Sequence, residues 1–396
     1  MRDQWQSLLK FGNPYDRVKI NIEACFCLGK QPRKLDGEDD FMFRKRISVF
    51  LVLALILLTS FSTAFAAEKP VVKILATGGT IAGSASTSTQ MTGYTAGAIG
   101  IQILIDAVPA MKEYADVSGE QIVKISSNNM TTEVWLKLAK RCNELLADPN
   151  VNGIVITHGT DTMEETAYFL NLVVKSHKPV ILVGAMRPAT AISADGPVNL
   201  LNAVRLAASP EAAGKGVMVV MNDQISGARD VTKTNTSNVA TFKSPELGYM
   251  GYFTGGKPYF YHESLRKHTV ASEFDVSNLT ELPRVDIVYA HVNDDRVMVD
   301  AAVAAGAKGI ISAGSGMGSI HEMTEKGLVD AQKQGVVIVR SSRVGNGLVV
   351  AGIQRYTDQK FLNGDNLNPQ KARILLQLAL TKTTNLEEIQ RMFAEY

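Results

Sequence analysis

The feature that most narrows the fold is a recurring unit. A short, nearly unbroken run of β-branched residues is followed by a loop of small or polar residues and then by a helical pattern. Val71-Val-Lys-Ile-Leu75 runs into Ala76-Thr-Gly-Gly-Thr80. Gly153-Ile-Val-Ile-Thr157 runs into His158-Gly-Thr-Asp161, after which Thr162–Leu170 reads as a helix. Pro179-Val-Ile-Leu-Val183 and Gly216-Val-Met-Val-Val-Met221 repeat the theme. Strands that are apolar throughout and alternate with helices belong to a parallel sheet covered on both faces. A shorter series, Asp286–Tyr289, Gly309–Ser312 and Val336–Arg340, begins after Pro283. Residues 261–283 between the two series are polar and charged and lack a long apolar period, so they are the expected linker. The expected fold is α/β in two domains. A larger N-terminal parallel-sheet domain spans 67–260, and a smaller C-terminal α/β domain spans 284–396.

Residues 42–66 read as an address instead of a fold. Arg44, Lys45 and Arg46 precede the apolar run Ile47–Leu58, and Ala64-Phe65-Ala66 follows, which are the three zones of a cleavable signal peptide. The apolar run is shorter than the roughly 20 residues that a spanning helix needs. Export to the periplasm with cleavage after Ala66 is expected, and no membrane contact after that. Met42 is the expected start, which makes residues 1–41 a doubtful extension. The chain has 41 Lys/Arg and 39 Asp/Glu; the first 66 residues hold ten and seven of these, leaving 31 against 32 in the body. Such a body has no surplus of positive charge to neutralise phosphates, so nucleic acid is not an expected partner. The three cysteines, Cys25, Cys27 and Cys142, exclude a disulfide framework and a four-cysteine zinc site.

In open parallel sheets, ligands bind outside the carboxyl ends of the strands. Two such loops are dense in hydroxyls: Thr77-Gly78-Gly79-Thr80 and Thr157-His158-Gly159-Thr160-Asp161. Glycines let a backbone approach a ligand closely and aim amides at it. A hydroxyl beside such amides can attack a carbonyl while the amides stabilise the oxyanion. The same residues also read as a tight Gly-Gly turn with threonines capping the next helices, and spacing alone does not choose between the two. A threonine nucleophile needs a base, and a lysine positioned by a carboxylate can serve. Asp161 adjoins Thr160, and Lys233 lies in Asp230-Val-Thr-Lys-Thr-Asn235. Composition does not say that Lys233 reaches Asp161, and a lone lysine is more often a solvated surface residue.

Longer stretches carry a resemblance. Ile74-Leu-Ala-Thr-Gly-Gly-Thr-Ile-Ala-Gly83 and Ile156-Thr-His-Gly-Thr-Asp-Thr-Met-Glu-Glu-Thr-Ala167 resemble the two signatures of the bacterial L-asparaginase/glutaminase family. The likeness continues through Val183–Pro188, Ser193–Pro197, Asp230–Thr236 and Asn368–Arg373, and it covers nearly all of 71–396. With the export signal, the chain is similar to the periplasmic type II branch. The resemblance implies hydrolysis of L-asparagine to L-aspartate and ammonia, with side activity or mixed specificity toward L-glutamine, and with no cofactor and no metal. It makes Thr80 the nucleophile on the side-chain amide, forming an acyl-enzyme that water then opens. Thr160, Asp161 and Lys233 form a second cluster in which Lys233 moves protons. Tyr94, between Gly93 and Gly97, matches the tyrosine of a mobile lid. Ser127 and Asn128 match positions that hold the substrate's α-carboxylate and α-amine, and Asp161 also meets the amine. Gly79 and Ala185 complete the implied substrate-binding set. Asn293 matches a residue lent by a neighbouring subunit, in a homotetramer built as a dimer of dimers. Two departures stand out: the family often has Gln or Glu where Asn128 stands, and its partner-subunit glutamate is missing between Val344 and Gly364, where Asp358 is the one acid.

Rival readings have less behind them. Gly309-Ile-Ile-Ser-Ala-Gly-Ser-Gly-Met-Gly318 is a glycine-rich loop after a strand, as in nucleotide binders. Ser319 occupies the last glycine's place in that fingerprint, however, and the next strand ends in Arg340 with no acid for a ribose. A non-catalytic periplasmic amino-acid binder would share the fold and the export signal, but it would not need Thr80 and Lys233 together. No G-x-S-x-G is present and the six histidines form no H-x-x-x-H pair, so serine-hydrolase and zinc readings fall away. His158 is expected to be a structural donor.

Overall fold

The computed structural model describes residues 68–396. The expected signal peptide at 42–66 and the extension at 1–41 lie outside the described residues. Four strands match the apolar runs, with ends that differ by a few residues, and two more lie outside those runs: β1 (Val71–Gly78) is expected, β2 (Asp116–Ile125) is not, β3 (Val151–Thr157), β4 (Val180–Val183) and β5 (Val217–Met221) are expected, and β6 (Gln224–Gly227) is not. Next come β7 (Thr232–Lys233) and β8 (Phe242–Lys243), a separate antiparallel ribbon, then β9 (Gly251–Thr254) and β10 (Lys257–Phe260). The larger sheet runs β10-β9-β6-β5-β4-β3-β1-β2. Its β2-β1-β3-β4-β5 portion is parallel, as expected, and β6, β9 and β10 add an antiparallel edge. The smaller sheet, β11 (Val285–Tyr289), β12 (Gly309–Gly314), β13 (Val337–Ser342) and β14 (Leu362–Asn363), is parallel throughout in the order β11-β12-β13-β14.

Alternation along each strand explains why the central runs are apolar at every position. Leu75, Ile154, Ile156, Leu182 and Val219 face one side of the large sheet, and Ile74, Val155, Ile181, Val183 and Met218 face the other. The first set shares one continuous core with Ile311, Val337 and Val339 of the small sheet. Two helices, Met163–Val173 and Pro369–Leu380, supply much of what joins the sheets; Tyr168, Phe169, Leu375 and Leu376 are each fully buried. The expected linker is not a free tether, because Phe274 and Val276 are buried in the same core. Cys142 is a free thiol in that core, and burial pushes its pKa up to about 12, so it behaves as a small apolar residue. Among the described residues, no helix is long and apolar enough to cross a membrane.

The strand order sets where a ligand can enter. From β1 the chain passes through the helix Ile101–Asp106 on one face to β2, at the sheet edge. It then returns through the helix Thr132–Ala147 on the opposite face to β3, on the other side of β1. The direction in which strands are added across the sheet therefore reverses between β1 and β3, which remain parallel, and a crevice opens outside their carboxyl ends. The two hydroxyl-rich loops follow those two strands. The glycine-rich loop after β12 has a different explanation. Ser315 and Ser319 bridge across it, and the buried Arg340 guanidinium donates to the Gly318 and Met317 carbonyls. Its carbonyls are turned onto an arginine, so the loop is built for internal packing.

Candidate active site

Glycine conformation brings the two loops together. Gly78 and Gly79 adopt φ of 111° and 81°, in the region that side chains disfavour. A Cβ on Gly79 would stand 2.3 Å from the Gly159 Cα, and a Cβ on Gly159 would stand 2.5 Å from Ser127 Oγ. Backbone thus touches backbone, and both the β1 and β3 loops must lack side chains where they meet. This close approach puts Thr80 and Thr160 on the wall of one cavity of about 540 Å³, with Gly79, Tyr94, Ser127, Asp161 and Lys233 also lining it.

On one side Thr80 opens a short 3-10 turn, Thr80–Ala82, and its Oγ1 lies 2.6 Å from the Tyr94 hydroxyl. Tyr94 is carried by a loop closed on itself through Ser84 and Thr95, each donating its N–H to the other's carbonyl at 3.0 Å. That loop also rests on the segment after β4. Ala189 N–H donates to Gly83 O, Ile192 N–H donates to Ser88 O, and Ala85 N–H donates to Thr190 Oγ1. Asp195 braces the segment by accepting the Met186 and Arg187 amides.

On the other side Lys233 reaches across the crevice from β7. Its Nζ donates to Thr160 Oγ1 at 3.0 Å and to Asp161 Oδ1 at 2.6 Å. An ammonium can only donate, so Thr160 accepts this bond and keeps its own hydroxyl proton free for the cavity. The Lys233 side chain is 16% exposed, whereas that of Asp161 is 58% exposed and open to a ligand. Ser127, on the turn after β2, is buried; its Oγ accepts the Asp161 amide, and its carbonyl accepts the Thr162 hydroxyl.

Thr80, Tyr94, Thr160, Asp161, Lys233, Gly79 and Ser127 are therefore assembled in one place. Three other expected residues are not among those lining the cavity. Asn128 is exposed, and its side chain donates to Asn129 Oδ1. Ala185 is fully buried behind the site, against the side of the helix that starts at Gly196. Asn293 is exposed on a turn after β11, with φ of 61°. The sequence reading passed over Met186, Arg187, Thr236 and Ser237, which also line the cavity. They lie in or beside quoted motifs, but no local pattern says which way they face. It passed over Glu164 as well, a buried carboxylate in the first turn of the helix after Asp161.

His158 is buried completely and takes no part in the cavity. A carbonyl can only accept, so Nδ1–H donates to Gly159 O (2.7 Å), and Nε2 accepts from Thr166, whose oxygen takes the Trp135 N–H. Burial pushes its pKa from 6.5 down to about 4. The unfolded chain therefore binds this proton between pH 6.5 and 4 while the folded chain does not. Stability should be level above that window and fall through it by on the order of 3 kcal/mol. Urea denaturation at pH 7 and pH 4.5 checks this. The wild type should lose more stability than His158→Asn, and equal losses would refute it.

Residues 71–266 match the family model described as "Asparaginase, N-terminal", and residues 284–393 match "Glutaminase/Asparaginase C-terminal domain". The chain is 57% identical over 338 residues to the L-asparaginase 2 of Bacillus subtilis, covering 85% of this chain and 90% of the relative. It is 51% identical over 337 residues to a Haemophilus influenzae protein named "Probable L-asparaginase periplasmic", covering 85% and 95% respectively. Other relatives carry the name glutaminase-asparaginase. A crystal structure described as a probable cytoplasmic L-asparaginase from Campylobacter jejuni superposes with a TM-score of 0.81 at 52% identity, covering 83% of this chain and all of that one.

Proposed function

This chain belongs to the asparaginase/glutaminase family, and we infer that it is an amide hydrolase converting L-asparagine to L-aspartate and ammonia, with L-glutamine as its candidate second substrate. One observation carries the mechanism we assign: two hydroxyl clusters, Thr80–Tyr94 and Thr160–Asp161–Lys233, face each other across one cavity.

The Thr80 oxygen attacks the side-chain amide carbon. As the C–O bond forms, its proton passes into the hydrogen-bonded groups around the cavity. When the C–N bond breaks, nitrogen leaves as ammonia, and water then attacks the resulting ester to release aspartate and restore the hydroxyl. Lys233 and Thr160 form the proton path, since the lysine holds the Thr160 oxygen and leaves its hydrogen directed to the site. The half-exposed Asp161 carboxylate takes the substrate's α-amine, and Ser127 takes the α-carboxylate. Asn128, being exposed, reaches the ligand through water. The loop bearing Tyr94 closes the cavity once the substrate is seated.

Three further assignments belong to this reading. The division into domains at 261–283 follows the two sheets. Export to the periplasm through cleavage after Ala66 is supported by the periplasmic relative, although the solved neighbour is named cytoplasmic. A homotetramer is supported by exposed apolar side chains that gather at the carboxyl ends of the small sheet, namely Tyr289, Val292, Met317, Val344 and Leu348. Asn293 lies in the same region, where a neighbour's site would meet it. The experiment is ammonia release from L-asparagine and from L-glutamine, measured in parallel. Turnover of asparagine is expected. Comparable rates on both amides would make the protein a glutaminase-asparaginase of mixed specificity, and binding without ammonia release would overturn the enzyme reading in favour of a binder.

A further inference from the structure

Glu164 is a carboxylate that is 4% exposed and makes no contact with the cavity, yet three N–H groups converge on it. Oε2 accepts the backbone N–H of Lys233 at 2.6 Å. Oε1 accepts the side-chain amides of Asn368 at 2.9 Å and Gln370 at 2.6 Å. Both of the latter stand at the start of the helix Pro369–Leu380, more than 200 residues away along the chain. In the β7–β8 ribbon, Thr234 N–H donates to Thr241 O. The neighbouring Lys233 N–H therefore points the other way, out of the ribbon, and Glu164 is its acceptor. Asn368 is locked in turn, because its Oδ1 caps the same helix by accepting Lys371 N–H. Lys371, fully buried, donates to the Arg229 and Val231 carbonyls just ahead of β7, so the same helix also braces the approach to Lys233.

We propose that Glu164 is the positioning residue for Lys233, through which the C-terminal domain of the same chain sets where the lysine ammonium stands. This rests on the reading of Lys233 as the proton-moving group. A carboxylate is required because all three partners donate. A glutamine offers a single oxygen, and its amide would face a donor. Lys233 Nζ meets its two partners at 2.6 and 3.0 Å, so a shift of about 1 Å in its backbone breaks the geometry, and displacements of that size can cost about 10²-fold in rate. The substrate-binding groups make no hydrogen bond to this carboxylate. Asp161 does bond Lys233 Nζ, but its backbone is held by Ser127 Oγ and its carboxylate is half exposed to water, so binding should be largely spared.

The test measures kcat, KM and thermal melting for Glu164→Gln, Gln370→Ala and Lys233→Met. Glu164→Gln should lower kcat by about 10- to 100-fold with KM changed less than about 3-fold. Gln370→Ala, which removes one half-buried donor and leaves the helix cap in place, should lower kcat less and in the same pattern, and it serves on its own if Glu164→Gln does not fold. If Lys233→Met is inactive while both other variants turn over like wild type, the positioning role is refuted and Lys233 stands. If Lys233→Met keeps full turnover, the reading of Lys233 itself fails, and this proposal with it. A loss in the Glu164 or Gln370 variants that tracks the unfolded fraction, with kcat per folded molecule unchanged, would reduce the carboxylate to a structural tie and overturn the proposal.

Discussion

Thr80→Ala should lower asparagine turnover by about 10²- to 10⁴-fold and leave ligand binding within a few-fold of wild type. The substitution deletes one oxygen from a residue that is 8% exposed and leaves Gly78 and Gly79 in their positive-φ conformations, so the loop has no reason to move. Tyr94 loses its partner at 2.6 Å, but its hydroxyl faces the cavity and can bond to water instead. The groups assigned to the substrate's α-amine and α-carboxylate, Asp161 and Ser127, lie on the β3 and β2 loops and are untouched. Steady-state kinetics together with calorimetric titration of L-aspartate separates the two effects. A folded Thr80→Ala protein with normal turnover would move the nucleophile to Thr160, the other hydroxyl on the cavity wall.

Lys233→Arg and Lys233→Met should fail almost equally, each by about 10²-fold or more. The pair separates proton transfer from charge. Arginine keeps the positive charge beside Asp161 but holds its proton too tightly to act as a base, and its planar fork cannot replace a single nitrogen 3.0 Å from Thr160 and 2.6 Å from Asp161. Methionine removes both charge and proton. Both variants should fold, because the side chain lies on the cavity wall and its removal opens no apolar void. Turnover across pH, with thermal melts as a check on folding, is the measurement. Substantial activity in the arginine variant would show that Lys233 only balances Asp161, and the proton path would have to be redrawn.

Legibility in the sequence followed burial. The central strands β1, β3, β4 and β5 could be read because a strand covered on both faces must be apolar at every position. The edge strand β2 was missed for the opposite reason: Asp116-Val-Ser-Gly-Glu-Gln is exposed or only part-buried throughout, with no regular apolar alternation, and looks like a loop. The antiparallel β6, β9 and β10 are four residues each, too short to leave a period. The hydroxyl-rich loops were visible because each follows a strand that was visible, and long matching stretches gave Thr80 and Thr160 their expected roles. Asn128 shows the limit of such matching, since the position can correspond while its side chain is exposed, bonds to Asn129 and is not among those lining the cavity; Asn293, expected at a neighbour's site, is likewise beyond what one chain's cavity displays.

What the sequence by itself determined is the kind of protein: apolar runs alternating with helices dictate a covered parallel sheet, and the loops after those runs contain the chemistry. Tertiary structure alone decided which loops meet. The reversal of strand order between β1 and β3 sets Thr80 opposite Thr160, 80 residues further on, and two glycines without side chains let the backbones touch. Lys233 joins Thr160 across 73 residues, and Glu164 joins Asn368 across 204. Local pattern records how a residue is buried, because burial acts on each side chain separately. It carries no record of which distant partner does the burying, because that depends on the order in which the strands pair and on the helices that close over them.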